Sequence, residues 1–136
     1  MPAHNDNFPW MSYYGNYNFF EQRMNEHSKV NSCDRLDSGL YNIELNNGNT
    51  LKVFICECYS FGTAEYVESC DNYGALDAVV ISSNWCGYGL ELKRDCMANR
   101  VGIFDVRGFM AAINRNEYWT YMTDYERDRF QEYGWI

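Results

Sequence analysis

The sequence predicts an α/β fold in which helices flank a mixed central sheet. Between residues 51 and 113, three apolar runs of strand length alternate with three segments of helix length. The apolar runs are LKVFICECYSFG, ALDAVVISS and VGIFDV, and the helical segments are TAEYVESCDNYG, GLELKRDCMANR and GFMAAIN. Strands that alternate with helices of about 10–15 residues are typical of crossover units, so this region predicts parallel strands.

A hairpin precedes the crossover units and makes the predicted sheet mixed. Tyr41, Ile43 and Leu45 alternate with polar residues, which is typical of a strand with one face in solvent. The Asn-Gly pair at 47–48 then predicts a tight turn, because both residues tolerate a positive φ angle. The strand at 51–59 is apolar on both faces over part of its length, so we expect it inside the sheet.

A helix is predicted before this hairpin, starting near Asn18 in the segment NFFEQRMNEHSK. Asn18 and Glu21 have the spacing of a capping box, and Phe20 and Met24 share one helical face. Residues 1–15 contain both prolines of the chain and several aromatic residues. We interpret them as an arm that is either flexible or packed across the body.

The predicted α/β core spans residues 17–113, and residues 114–136 form an aromatic-rich C-terminal segment of the same single domain. Its last part predicts a helix, with a capping box at Thr123 and Glu126 and a left-handed residue at Gly134. Two roles for its aromatic rings stay open: they cover the core, or they form an interface with a partner or with a second copy of the chain. These rings belong to Tyr118, Trp119, Tyr121, Tyr125, Phe130, Tyr133 and Trp135.

The composition narrows the classes of function. A chain of 136 residues is expected to form one domain that buries a core without disulfide bonds. The formal net charge of −8 disfavours non-specific binding to nucleic acid and suits a protein partner with a basic surface. The sequence contains no apolar run long enough for a membrane span, and MPAHNDNFPW lacks the basic and apolar regions of a signal peptide. We therefore expect a cytoplasmic protein whose six cysteines are free thiols.

Residues 51–113 resemble the second half of restriction-endonuclease-like domains of the Mrr type, in the PD-(D/E)xK superfamily. VFICECY stands where that family has a strand with an acid, any residue and a lysine. The stretch AVVISSNWCGYGLELKRDCMANRVGIFDVRGFMAAI follows the later elements of the family through its final helix. The resemblance implies a restriction-endonuclease-like fold and, in active members, a divalent metal held by carboxylates beside a lysine.

The residues that cut in this family are replaced in this chain. By the resemblance, Ile55 takes the position of the acid and Glu57 that of the lysine, while Asn42 falls near the metal-binding aspartate of the hairpin. An apolar side chain cannot bind a metal, and a carboxylate cannot replace an ammonium group. We therefore expect no catalytic centre, no metal and no cofactor.

If the hairpin strands pair in an alternative register, the chain could instead be a metal-dependent nuclease that uses Mg²⁺ or Mn²⁺. Glu44 and Glu57 would face each other across the sheet, and Asp37 would join them from the loop. Tyr59 would take the place of the lysine, two residues after Glu57 and on the same face of the strand. Tyrosine is a poor substitute at neutral pH because its pKa is near 10.

The turn after the second buried strand is a candidate site for a small molecule or a nucleotide. Open α/β sheets bind ligands outside the carboxyl ends of their strands, which is where this turn begins. Its candidate ligand-binding residues are Ser82, Ser83, Asn84, Trp85 and Tyr88.

Lys93, Arg94 and Arg100 form the only basic cluster of the sequence. The cluster either contacts a phosphate group or forms a solvated face of salt bridges with the acidic residues between its members.

These observations favour a non-catalytic binding module with a protein partner. By the resemblance, its setting would be defence or counter-defence in bacteria or phages. The nuclease that uses Glu44 and Glu57 and the sensor of small molecules are the alternatives, and a homodimer through the C-terminal aromatic residues is a further hypothesis.

Overall fold

The structure, a computed structural model, describes residues 7–12, 14–83 and 86–136. Helices and strands alternate along most of this length. In chain order the elements are α1 (Tyr14–Glu26), β1 (Val30–Asp37), β2 (Leu40–Leu45), β3 (Thr50–Cys56), β4 (Ser60–Phe61), α2 (Thr63–Tyr73), β5 (Ala78–Ile81), β6 (Gly87–Tyr88), α3 (Leu90–Ala98), β7 (Gly102–Asp105), α4 (Val106–Ala112), a short 3-10 helix (Tyr118–Thr120) and α5 (Asp124–Glu132).

The central sheet is mixed and has the strand order β1-β2-β3-β5-β7. β1, β2 and β3 are antiparallel neighbours, whereas β3, β5 and β7 run parallel to one another. α2 and α3 connect the parallel strands, and β4 pairs with β6 in a small separate sheet. The α/β class, the mixed sheet and the flanking helices predicted from the sequence are confirmed.

Both faces of the sheet are covered, which gives the domain three layers. On β3, Leu51, Val53 and Ile55 join the core beneath α1 and α4, while Phe54 and Cys56 join the core beneath α2 and α3. Burial on both sides explains why this strand is apolar on both faces. None of the helices in the described ranges is long and apolar enough to cross a bilayer.

The hairpin between β2 and β3 turns where the sequence predicts, with a different backbone at its tip. Gly48 has a φ of 89°, and its amide donates to the Leu45 carbonyl at 3.0 Å. Asn47 does not share the positive φ; its Oδ1 accepts a hydrogen bond from the Asn49 amide at 2.9 Å. The glycine alone therefore supplies the left-handed conformation that the turn needs.

The N-terminal part of the core differs most from the prediction. The sequence shows no strand pattern at Val30–Asp37, yet these residues form the edge strand β1, which is mostly exposed and is held by its pairing with β2. α1 begins at Tyr14 rather than near Asn18, so the expected capping box of Asn18 and Glu21 is wrong. Glu21 instead accepts a hydrogen bond from the Tyr41 hydroxyl at 2.6 Å.

Residues 7–12 pack against the carboxyl end of β3. The Trp10 side chain is buried, and its carbonyl accepts a hydrogen bond from the Glu57 amide at 2.8 Å. The Ser12 amide donates to the Tyr17 hydroxyl at 3.0 Å. Residues 1–6 and 13 of the predicted arm lie outside the described residues.

The C-terminal helix has the two ends that the sequence predicts. The Thr123 hydroxyl accepts from the Glu126 amide, and the Glu126 carboxylate accepts from the Thr123 amide. Gly134, just beyond the helix, has a φ of 73°. Both the capping box and the left-handed glycine are confirmed.

The aromatic rings of the C-terminal segment divide between the interior and the surface. Tyr118 and Phe130 are buried, whereas Tyr125 and Tyr133 are 66% and 51% exposed. Covering the core therefore accounts for only some of the rings described in this segment.

Candidate functional site

An open crevice lies at the carboxyl ends of the parallel strands β5 and β7, and its volume is about 370 Å³. Helix α1 and the start of α4 supply its other walls. Ligands of open α/β sheets commonly bind outside the carboxyl ends of the strands, so this carboxyl-edge crevice is the candidate functional site. Its lining residues are Asn16, Phe19, Ile81, Ser82, Ser83, Cys86, Tyr88, Asp105, Val106 and Arg107.

Ser82 is fixed at the crevice by backbone and side-chain hydrogen bonds. Its amide donates to the Cys56 carbonyl at 3.0 Å, and its hydroxyl donates to the same oxygen at 3.2 Å. The Ser12 hydroxyl lies 2.7 Å from the Ser82 hydroxyl. Because Ser82 uses its proton on the carbonyl, Ser12 is the donor between the two hydroxyls.

Asp105 and Arg107 bring charges of opposite sign to the crevice. Asp105 ends β7 and caps α4, where its Oδ1 accepts from the Gly108 amide at 2.6 Å. Both charged side chains remain exposed. The cap therefore holds a carboxylate in a fixed place at the mouth of the crevice.

Glu57 lies buried beside the crevice and is fixed there by a hydrogen bond. Its side chain is 5% exposed, and Asn16 Nδ2 donates to its Oε1 at 3.0 Å. Burial, and then the charge of Glu57, raise the pKa of the Cys86 thiol above its ordinary value of 9.0. That thiol stays protonated at neutral pH, so it is a poor nucleophile.

A buried ion pair stands behind the Tyr88 wall of the crevice. The Tyr88 hydroxyl donates to Glu126 Oε2, and Glu126 Oε1 lies 3.3 Å from Lys93 Nζ. Lys93 is completely buried, and its Nζ also donates to the Ile103 carbonyl at 2.8 Å. Burial lowers the pKa of Lys93, and the nearby Glu126 opposes that shift. These bonds join α3, α5 and β7 behind Tyr88 and so fix the wall.

The structure does not bring Lys93, Arg94 and Arg100 together as a basic surface. Lys93 is buried in the ion pair just described. The Arg94 guanidinium lies 4.3 Å from the centroid of the Trp135 ring, and that of Arg100 lies 5.6 Å from the centroid of Trp119. Helix α3 ends at Ala98, before Arg100, so Lys93 and Arg100 do not share a helical face.

The two glutamates of the nuclease alternative also lie apart. Glu44 pairs with Thr50 at the start of β3, whereas Glu57 follows the end of that strand. At about 3.3 Å per residue, roughly 20 Å separates them. Asn31 Nδ2 donates to Glu44 Oε1 at 2.8 Å. The register that would bring the two glutamates face to face is therefore wrong.

The other residues of the two nuclease schemes are also dispersed. Ile55, which the resemblance sets at the acid position, is completely buried in the core. Asp37 is exposed on the edge strand, where its Oδ1 accepts from the Ser38 amide at 2.7 Å, and the Tyr59 side chain is 72% exposed. Within the described ranges, no three His, Cys, Asp or Glu side chains are arranged to hold a metal ion.

The structure adds seven residues to those expected at this site, and Asn16, Phe19 and Asp105 are among them. Asp105 has a signal in the sequence, because it is the penultimate residue of the predicted strand VGIFDV and parallel strands end at one edge of the sheet. Asn16 and Phe19 have no such signal, since their position at the crevice depends on how α1 packs across the sheet. Of the expected residues, Ser82, Ser83 and Tyr88 line the crevice, and Asn84 and Trp85 lie outside the described residues.

No family model, curated protein or solved structure matches this chain. The resemblance to restriction-endonuclease-like domains stays a prediction, which rests on the order of the elements and on short phrases.

Proposed function

We propose that this chain is a non-catalytic binding module of the restriction-endonuclease-like type, which holds a basic segment of a protein partner in its carboxyl-edge crevice. The observation that carries the proposal is an exposed apolar rim around a concave site with fixed walls. Phe19 lines the crevice and is 44% exposed. Met11 is 38% exposed and adjoins Ser12, which is bonded to Ser82 of the crevice. Exposed apolar side chains around such a site are typical of interaction surfaces.

The lining suits an apolar or aromatic side chain together with the backbone beside it. Phe19, Ile81 and Val106 provide apolar contact surface. Asn16 and Ser83 provide an amide oxygen and a hydroxyl that can bond the backbone of a bound segment. A buried apolar anchor surrounded by a polar rim is the usual anatomy of a protein interface.

The charge of the chain favours a basic partner. The formal net charge is −8, and Asp105 holds an exposed carboxylate at the crevice. A lysine or arginine next to the bound apolar side chain would meet this carboxylate, whereas a nucleic-acid backbone would be repelled by the net charge.

The placement of the acidic residues supports binding over cleavage. Metal-dependent hydrolysis needs carboxylates that converge on the ion. Here Glu57 is held by Asn16, Glu44 lies at the far end of β3, and Ile55 is in the core.

A small ligand in the same crevice is the second candidate. The crevice volume of about 370 Å³ falls within the range of pockets that take small molecules, and Ser82 and Ser83 offer hydroxyl groups there. This candidate has the same location as the first, so only the nature of the bound molecule separates them.

Fluorescence anisotropy with labelled peptides tests the proposal. The probes carry one tryptophan flanked by lysines, and the matched probes carry glutamates in place of the lysines. We expect Phe19→Ala to weaken binding of the basic peptide by about 10-fold or more, as for an anchor residue. Tyr125→Ala removes an exposed ring from α5, outside the crevice, and should leave the affinity unchanged. Asp105→Asn should reduce the preference for the basic peptide.

Three outcomes would overturn the proposal. Wild-type affinity in Phe19→Ala, or no binding of the basic peptide, would remove the crevice as a protein site. A nucleotide that raises the thermal midpoint in wild type but not in Ser83→Ala would favour the small ligand. Cleavage of plasmid DNA with Mn²⁺ that is lost in Glu57→Gln would establish a nuclease instead.

A further inference from the structure

A second pocket, of about 340 Å³, lies at the opposite end of the domain. It is formed by the connection between α1 and β1, the turn between β2 and β3, and the residues that follow α4. We refer to it as the amide pocket, because its polar lining is rich in asparagine. The charged and amide side chains of its lining are those of Lys29, Asn46, Asn47, Asn114, Arg115 and Asn116.

The amide pocket is positive in an acidic chain. Among the described residues that line it there are two cations and no carboxylate. Lys29 and Arg115 are both exposed, and neither forms an ion pair within the described ranges. The pocket is therefore locally positive on a chain whose formal net charge is −8.

The end of helix α4 does not account for the position of Arg115. Cations near the end of a helix often satisfy its last carbonyls. Here the Ala112 carbonyl accepts from the Arg115 amide, and the Ala111 carbonyl accepts from the Asn114 amide. The Met110 carbonyl accepts from His27 Nε2 at 2.9 Å. These carbonyls are already bonded, which leaves the Arg115 guanidinium available to a ligand.

The walls of the amide pocket are fixed, while several of its donors are not used. The Asn46 amide donates to the Lys29 carbonyl at 2.9 Å, and Asn46 Nδ2 donates to Ser28. The Arg115 guanidinium lies 5.2 Å from the centroid of the Tyr121 ring, which orients its plane. Asn47 is bonded through Oδ1, so its Nδ2 group has no partner among the described residues.

We infer that the amide pocket binds a small ligand that carries a phosphate group. Guanidinium, ammonium and amide N–H groups are donors that match phosphate oxygens, and the guanidinium can bond two of them at once. The pocket lies apart from the carboxyl-edge crevice, so this inference does not rest on the proposed function.

Isothermal titration calorimetry at low ionic strength tests the inference. The probes are inorganic phosphate, adenosine monophosphate and adenosine. Both phosphate-bearing probes should bind, and adenosine should not. The double variant Lys29→Ala/Arg115→Ala should lose affinity by about 10-fold or more, because it removes both charged donors that bond the phosphate oxygens. Affinity in wild type should fall as salt is added.

Arg35→Ala is the matched control. Arg35 is also exposed and also lies over a tyrosine ring, 4.6 Å from the Tyr17 centroid, but it is remote from the lining of the amide pocket. We expect this variant to bind like wild type. Absence of binding by either phosphate probe up to about 10 mM, a range that covers millimolar dissociation constants, would overturn the inference. So would equal affinity in the double variant, or equal binding of adenosine.

Discussion

The two ends of the domain differ in how their charges are held. At the carboxyl-edge crevice, Glu57 is bonded to Asn16, and Glu126 is bonded to Tyr88 and paired with Lys93. At the amide pocket, the two exposed cations have no ion pair within the described ranges. The buried charges beside and behind the crevice thus hold its walls, whereas the two cations of the amide pocket are exposed and available to a ligand.

Because of this difference, substitutions at the two ends of the domain should change different properties, namely stability at one end and binding at the other. A buried charge that loses its partner costs several kcal/mol, while an exposed charge contributes little to folding. Substitutions behind the crevice should therefore change the free energy of unfolding, and substitutions at the amide pocket should change binding alone.

Glu126→Gln should have the largest effect on stability. It keeps a side chain that can complete the capping box with Thr123, yet it leaves the buried Lys93 ammonium without its carboxylate. We expect a loss of about 3 kcal/mol in urea unfolding.

Glu132→Gln is the matched control on the same helix. Glu132 pairs with Arg129 at 3.0 Å, and both side chains are substantially exposed. Its loss should cost about 0–1 kcal/mol. Equal losses for the two variants would show that the buried pair stabilises the fold no more than the exposed pair does.

Glu57→Ala should have the second-largest effect on stability. The substitution removes the buried Glu57 carboxylate that accepts from the half-buried Asn16 amide, and a lost hydrogen bond to a charged group costs about 1.5–3 kcal/mol. Glu44→Ala removes a bond of similar form, to Asn31, at an exposed site. We expect a smaller loss there, of about 0.5 kcal/mol. Chemical denaturation of the two variants compares them, and a greater loss in Glu44→Ala would reverse the argument.

High pH should weaken the fold through its buried thiols, one of which is Cys58, two residues after the end of β3. Burial raises the pKa of Cys58 from 9.0 to about 11. Between these values the unfolded chain releases the thiol proton and the folded chain keeps it, so stability is present below pH 9 and is lost as pH rises. At pH 10 the loss should be about 1 kcal/mol. Unfolding at pH 7.5 and pH 10 should show a smaller difference in Cys58→Ala than in wild type. An identical difference would exclude this contribution.

The smallest effect is expected at the amide pocket. Lys29→Ala and Arg115→Ala, taken singly, should each change the free energy of unfolding by less than about 0.5 kcal/mol. Thermal and urea unfolding of each variant measures this. A loss of 2 kcal/mol or more, on the order expected for a buried charged group, would mean that these cations hold the fold together rather than a ligand.

The sequence predicts the middle of this fold well, because its elements have strong local patterns. β3, β5 and β7 are buried on both faces and appear as apolar runs, and α2 and α3 fill the segments between them. β1 has no such pattern, since an edge strand with exposed side chains is held by backbone bonds to β2 rather than by apolar contacts.

The candidate site is less predictable than the fold. Ser82, Ser83 and Tyr88 follow from the rule that ligands bind at strand ends. Asn16 and Phe19 reach the crevice only because α1 crosses the sheet, which no local pattern encodes. The basic cluster predicted from the sequence also misplaced Lys93, because a lysine among charged residues gives no sign that it is buried and paired with a glutamate 33 positions later.

Chemical-shift mapping by NMR tests the proposed protein site most directly. The isotopically labelled chain would be titrated with the lysine-flanked tryptophan peptide, with the glutamate-flanked peptide as the control. We expect the amides of Asn16, Phe19, Ser83 and Asp105 to shift most, and only with the basic peptide. Shifts confined to other surfaces, or the same shifts with both peptides, would contradict a crevice that selects a basic partner.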